Sequence, residues 1–242
     1  MPDGTGQWLT TLTAASSTSY LEGSAGLAST PRYDKDELSA LVEYGFTDRL
    51  TAIFEPGLRH IDIAAPTGAE RTGLGYTEFG ARYAFLENAD QSWVLSGQAT
   101  LRIPGTTDTS NPAAVGYTDI ETDVRALLGH SFTVAGLPVF FDLEMAERIR
   151  TAGLPSEFRA DGTFGLWVRP QWLVLAQSFN VFSEGSGNVL YTGGSYDYEK
   201  LQLSAVYQIT PVWAVQGGGY VTYAGQNALQ ENGLIFGVWH MF

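Results

Sequence analysis

The sequence predicts an all-β chain that closes on itself as an antiparallel barrel of about twelve strands. Two patterns predict it. Apolar and polar residues alternate with period two in many successive stretches of strand length. Between them, short turns alternate with mostly longer loops rich in Gly, Ser, Thr and Pro. A third observation is that no apolar run approaches the roughly 18 residues of a membrane-crossing helix. The densest run, around Leu137 to Phe141, is strand-sized.

The strands are read in order. Residues 7–16, 36–46 and 50–63 come first. In 76–85, Phe79, Ala81, Tyr83 and Phe85 oppose Glu78, Gly80 and Arg82. The clearest alternation is 92–103: Trp93, Leu95, Gly97, Ala99, Leu101 and Ile103 against Ser92, Val94, Ser96, Gln98, Thr100 and Arg102. In 118–128, Ile120, Val124, Ala126 and Leu128 oppose Asp119, Glu121, Asp123 and Arg125. In 139–148, Val139, Phe141, Leu143 and Met145 oppose Asp142, Glu144 and Arg148. In 157–168, Phe158, Ala160, Phe164, Leu166 and Val168 oppose Glu157, Arg159, Asp161 and Thr163. Strands at 171–182, 197–208, 212–224 and 231–242 complete the series. Short connections fall at 47–49, 87–91, 131–137, 169–170 and 209–211. The longer ones fall at 18–35, 62–75, 104–117, 149–156, 183–195 and 225–230. No linker or solenoid repeat interrupts the series, so residues 1–242 read as a single domain.

Composition narrows the function. The net charge is −13, which argues against nucleic acid, whose phosphates need Lys and Arg. Cysteine is absent, which excludes disulfides and thiolate metal sites. No HExxH or EF-hand spacing is present, and no metal or cofactor is expected. Charged residues are only 16%, against roughly a quarter in a soluble domain.

Alternation alone does not say which face is inside. A soluble barrel turns its apolar face inward, and a membrane barrel inverts this. Three features favour a transmembrane barrel with a polar, charged lumen. Aromatic rings on the apolar face, Tyr44, Tyr83, Trp93, Trp172, Tyr207 and Trp213, cluster beside the short turns, as rings at a lipid–water interface do. The polar face carries Arg, Glu and Asp at mid-strand depth and very little Lys. The chain stops on an aromatic residue. Short turns at one end and longer loops at the other match outer-membrane barrels, with the long loops outside the cell. The expected location is therefore the Gram-negative outer membrane, in contact with its lipid. The opening Met1-Pro2-Asp3-Gly4 reads as an initiator Met on a mature sequence whose export signal has been removed. Closure removes strand edges, so a monomer is self-sufficient.

Symmetric hairpins would pair Arg59 with Glu78, Glu55 with Arg82, and Arg125 with Glu144 as opposite-charge cross-strand pairs. These residues, with Arg102, Glu121, Asp123, Asp142, Arg148, Arg159 and Asp161, are the expected lumen lining. In the second half of that set Asp119, Glu121, Asp123, Asp142, Glu144 and Asp161 outnumber Arg125, Arg148 and Arg159. Such a surplus, focused by a low-dielectric wall, would favour cations or neutral polar solutes over anions. A wall neutralised by bulk counterions is an equal alternative.

The last strand ends Gly237-Val238-Trp239-His240-Met241-Phe242. It resembles the C-terminal signal read by the barrel-assembly machinery: a Gly, then aromatic or apolar residues three and five positions later. Gly237 and Phe242 match, and His240 departs from the usual apolar letter. A second resemblance lies in Tyr44-Gly45-Phe46-Thr47-Asp48-Arg49-Leu50, in 73–85 with Gly80-Ala81-Arg82-Tyr83, in Arg102-Ile103-Pro104-Gly105 and in Ala224-Gly225-Gln226-Asn227. These are similar to segments of the family named for the meta-pathway of phenol degradation. That resemblance implies an outer-membrane barrel passing small organic compounds, with no catalytic residues.

The expected function is thus a porin-like channel for passive diffusion of small organic or polar solutes. The alternatives are a closed structural or assembly-partner barrel, or an outer-membrane lipid-modifying enzyme. An enzyme would need a Ser–His or Asp–His constellation. His60, His130 and His240 all fall on the lipid side, and His60 would lie beside Thr77. Gly185-Ser186-Gly187 is a loop rather than a nucleophile elbow. Loop 18–35 or loop 104–117 is the candidate for an inward-folded constriction.

Overall fold

The computed structural model describes residues 1–22, 26–106, 110–115, 119–151, 153–185 and 195–242. The strands are β1 (Gly6–Glu22), β2 (Gly26–Gly45), β3 (Leu50–Ile63), β4 (Ala69–Glu87), β5 (Trp93–Pro104), β6 (Glu121–Val134) and β7 (Leu137–Ile149). They continue as β8 (Glu157–Arg169), β9 (Trp172–Ser183), β10 (Asp197–Gln208), β11 (Trp213–Gln226), β12 (Ala228–Leu229) and β13 (Asn232–Met241). Every neighbouring pair is antiparallel. β12 and β13 follow one another along β1, Leu229 opposite Tyr20 and Asn232 opposite Ser16, so they form one wall strand with a break at Gln230 and Glu231. The other edge of β1 pairs with β2, which closes a wall of twelve strands with no free edge.

Strand closure brings both termini to the short-turn end. The Gly6 amide donates to the Phe242 carbonyl at 2.7 Å, and the Phe242 amide donates back to Gly6 at 2.9 Å. The N-terminal ammonium of Met1 donates to Thr51 Oγ1 at 3.0 Å.

The wall is inverted relative to a soluble barrel. Thr51, Thr100, Glu121, Asp123, Arg148, Gln216 and Thr222 are buried, whereas Phe54, Phe79, Leu101, Leu143, Met145, Leu203, Leu234 and Phe236 are exposed. Water would not tolerate that outer surface on a monomer. A hydrocarbon surround does, because the closed ladder satisfies every strand backbone internally. The exposed rings of Tyr44, Tyr83, Trp93, Trp172 and Trp213 girdle the short-turn end, and Trp172 packs on Tyr207 with centroids 4.8 Å apart.

The strands reach further than the sequence pattern indicates. β1 runs on to Glu22, β2 starts at Gly26 and β4 starts at Ala69. Much of what reads as loops 18–35 and 62–75 is hairpin ribbon. These stretches carry polar residues on both faces, which hides their alternation, yet they pair through Glu22 opposite Gly26 and Ile63 opposite Ala69. At the other margin β6 begins at Glu121, and Thr118 lies outside the described residues.

Candidate functional site

The interior is built from inward positions all round the wall, and its ion-paired arginines lie on β3 to β8 or at their ends. Arg102 on β5 donates to Glu78 on β4 at 2.5 Å and also bonds Glu121 on β6. Arg150, one residue past β7, donates to Glu121 at 2.8 Å and to Glu157 at 2.9 Å. Arg148 reaches Asp123 at 3.2 Å and Glu157 at 3.7 Å. Arg125 bonds Glu144, sits 3.3 Å from Asp123 and 3.5 Å from Asp161. Arg159 lies 3.8 Å from Glu157 and 4.0 Å from Asp161. Glu121, Asp123, Glu157 and Asp161 are each shared between arginines, so the pairs form one continuous network across β4 to β8. Burial at this depth strengthens each attraction, and the sharing offsets the desolvation that an isolated buried pair suffers.

Three expected facings are corrected. Glu55 faces Glu78, not Arg82, and Arg59 faces Gly73, not Glu78. The hairpin turns at Ala64 to Gly68 and a bulge lies between Pro56 and Leu58, which shifts the register away from a symmetric 62–75 loop. Arg59 instead donates to Glu37 on β2 from Nε at 3.1 Å and from Nη2 at 2.9 Å. Arg82 bonds Glu43 at 3.0 Å. Arg125 faces Ala146 rather than Glu144, and its ion pair with Glu144 is diagonal.

Cavities lie on either side of the network. One of about 430 Å³ at the long-loop end is lined by Tyr20, Tyr33, Lys35, Tyr76, Arg150, Glu157, Tyr196, Tyr198, Lys200 and Glu231, among others. One of about 300 Å³ at the short-turn end is lined by Met1, Thr51, Arg82, Ser96, Leu127 and Asp142, among others. A pocket of only about 60 Å³ lies between Glu37, Glu55, Glu78 and Arg102. Of the two loops expected as constrictions, the one after β5 has residues 110–115 described, and part of that segment packs inward. Ala113 and Val115 are buried against Ile61, and the Val115 carbonyl accepts a bond from Arg59 at 3.0 Å.

The sequence reading missed several interior groups. Arg150 lies past the strand pattern. Lys35, Lys200 and Glu231 stand at the margins of the strands read at 36–46, 197–208 and 231–242. Leu173, Leu175, Val206 and Ala214 form a buried apolar patch with Phe140, Trp167 and Trp239. β9 reads Trp172-Leu173-Val174-Leu175-Ala176, apolar on both faces, so alternation gave no facing there.

The chain has the fold of outer-membrane β-barrels. Over its full length it superposes on an outer membrane channel from Pseudomonas putida F1, with a TM-score of 0.79, 14% identity and 97% of that chain covered. The translocator domain of the autotransporter NalP from Neisseria meningitidis matches with a TM-score of 0.60 and 12% identity, covering 100% of this chain and 90% of that one. The β domain of the Bordetella autotransporter BrkA gives 0.57 and 15%, covering 99% and 100%. No family model and no curated protein matches the chain.

The histidines lie on the outward face. His130 stacks on Trp93 at 3.7 Å, and His240 packs on Trp213 at 4.2 Å. His60 faces Thr72, not Thr77, because of the same register shift, with Nδ1 2.8 Å from Thr72 Oγ1. Glu70 is 3.9 Å from His60 Nε2 and largely exposed, too far to hold the imidazole in one tautomer. Of the loop Gly185-Ser186-Gly187, only Gly185 lies within the described residues. Gly237 stands opposite Gln216 on β11 and Thr11 on β1, and a Cβ there would press on Gln216 and Leu9 at 3.3 Å.

Proposed function

We propose that the chain is a passive outer-membrane channel for small organic or polar solutes, whose lumen is lined by the residues of the charged network. The observation that carries this reading is the polar interior with a chamber at each end, enclosed by an apolar outer wall. The likeness to a channel of Pseudomonas putida F1 and the motifs shared with the phenol meta-pathway family support it. In this reading Glu55, Arg59, Glu78, Arg82, Arg102, Glu121, Asp123, Arg125, Asp142, Glu144, Arg148, Arg159 and Asp161 line the path. The ion-paired belt between the chambers limits its width. The barrel works as a monomer in the Gram-negative outer membrane, with its long loops outside. Gly237, His240 and Phe242 form the segment read by the barrel-assembly machinery.

The belt also favours a second reading, a closed structural barrel whose network is a brace. Single-channel recording separates the two. Purified protein added to planar bilayers in potassium chloride should give discrete, small conductance steps; a silent membrane at every voltage tested would favour the closed barrel. An esterase or lipase assay with the same protein tests the enzymatic alternative, and turnover lost in His60→Ala would overturn the channel reading.

A further inference from the structure

The chain contains only two lysines, Lys35 and Lys200. They come from strands on opposite sides of β13 and converge on one carboxylate. Lys35 Nζ lies 2.9 Å from Glu231 Oε1, and Lys200 Nζ bonds Glu231 Oε2. Glu231 is buried, placed inward by the break between β12 and β13. The other ion-paired side-chain cations described in the interior are arginines, most of them within the network of shared acids. Here two ammonium groups share one acid, which leaves one positive charge in surplus. Both lysine side chains stay 20% exposed, and both line the chamber of the long-loop end.

Resting on the channel reading, we propose that Lys35 and Lys200, held on Glu231, form an anion-binding subsite that takes the carboxylate of a small aromatic acid. An ammonium carries three donors that can turn about its stem. One is used on Glu231, and the remaining donors are available to an incoming oxyanion. The surplus of one charge matches a monoanion. The walls suit a flat apolar body. The Tyr198 and Tyr220 rings lie 5.1 and 5.3 Å from Lys200 Nζ, and Tyr20, Tyr33 and Tyr76 line the same chamber. Aromatic rings give such a body area for stacking and edge contacts, and the chamber's roughly 430 Å³ is in the range of small-molecule sites.

Isothermal titration calorimetry of the full chain in detergent tests this without needing conduction. Benzoate should bind, and both phenol, the ring without the charge, and acetate, the charge without the ring, should bind at least tenfold more weakly. Lys35→Gln and Lys200→Gln should each weaken benzoate at least tenfold, while Arg169→Gln, the same charge change at the short-turn end, should leave it unchanged. Equal binding of benzoate and phenol by the native protein would overturn the proposal, and this arm does not depend on any variant folding. So would benzoate binding unchanged in folded lysine variants whose melting temperature alone has fallen, which is the signature of a brace. Benzoate binding beside silent bilayers would remove the channel and keep the subsite. Conducting protein that binds no benzoate would do the reverse.

Discussion

Arg150 and Glu121 meet at 2.8 Å with 3% of each side chain exposed, although Arg150 lies beyond the last residue of β7. The pair joins the end of one strand to the start of another and ties Glu121 to Glu157 through a single guanidinium. Removing one partner of a buried ion pair costs about 3–5 kcal/mol when the other charge is orphaned. Here Glu121 keeps Arg102 and Glu157 keeps Arg148. Arg150→Ala should therefore lower stability by about 2 kcal/mol, less than a true orphan would. Urea unfolding in lipid vesicles, followed by tryptophan fluorescence, measures it. An unchanged midpoint would show that the network does not support the wall.

Glu55 provides a test of register. It faces Glu78, whose carboxylate is held by Arg102, and it stands apart from Arg82, which serves Glu43. Like charges directly opposite one another destabilise a sheet by a few tenths of a kcal/mol to about 1 kcal/mol. Glu55→Gln should leave stability unchanged or raise it within that range. In the symmetric register Glu55 would be paired with Arg82, and the same substitution would cost stability. The two signs are opposed, so one unfolding curve decides.

That register marks the limit of what the sequence carries. Period-two alternation located the strands from 76 to 168, because each has one polar and one apolar face and the membrane demands that separation. It failed where both faces are alike. β9 is apolar on both sides at Leu173 to Ala176, and the upper parts of β1, β2 and β4 are polar on both sides, clear of the lipid. The interior residues were legible as a set, through their charge at mid-strand depth. Of their partners only Glu144 of Arg125 was legible, and it pairs diagonally; on β3 and β4 a bulge at Pro56 and a turn starting at Ala64 displace the expected pairs. Arg150 was invisible for a different reason: it lies one residue past β7, and its partners stand at the starts of β6 and β8, outside strand periodicity.

The loop after β5 gives a third prediction. Val115 is 1% exposed, against Ile61 and with its carbonyl on Arg59. A charge at this position cannot stay in that contact without a partner. Val115→Asp should release the segment from the wall, and planar-bilayer recordings should show a higher mean conductance and more open-state noise than the native protein. Equal conductance would place the limiting width at the ion-paired belt alone.

Phe242 gives the fourth. Its backbone is paired with Gly6, but its side chain is 55% exposed on the outer face. Phe242→Ala should change the stability of the folded barrel little, within about 0.5 kcal/mol for an exposed site. If the terminal segment is an assembly signal, the same variant should accumulate several-fold less in the outer membrane of expressing cells. Equal loss in both measurements would assign Phe242 to packing rather than to recognition.

The strands are unequal in height. β1, β2 and β4 have 17, 20 and 19 residues, while β5, β9 and β10 have 12. At about 3.3 Å per residue and a tilt near 45°, the difference raises one side of the rim by roughly 10–20 Å. The described strands thus end at stepped heights, like a quill cut on the slant. On the channel reading, the tall hairpins of β1 to β4 would stand as a backstop on one side of the entrance, and appendages grafted onto them would keep clear of the traffic.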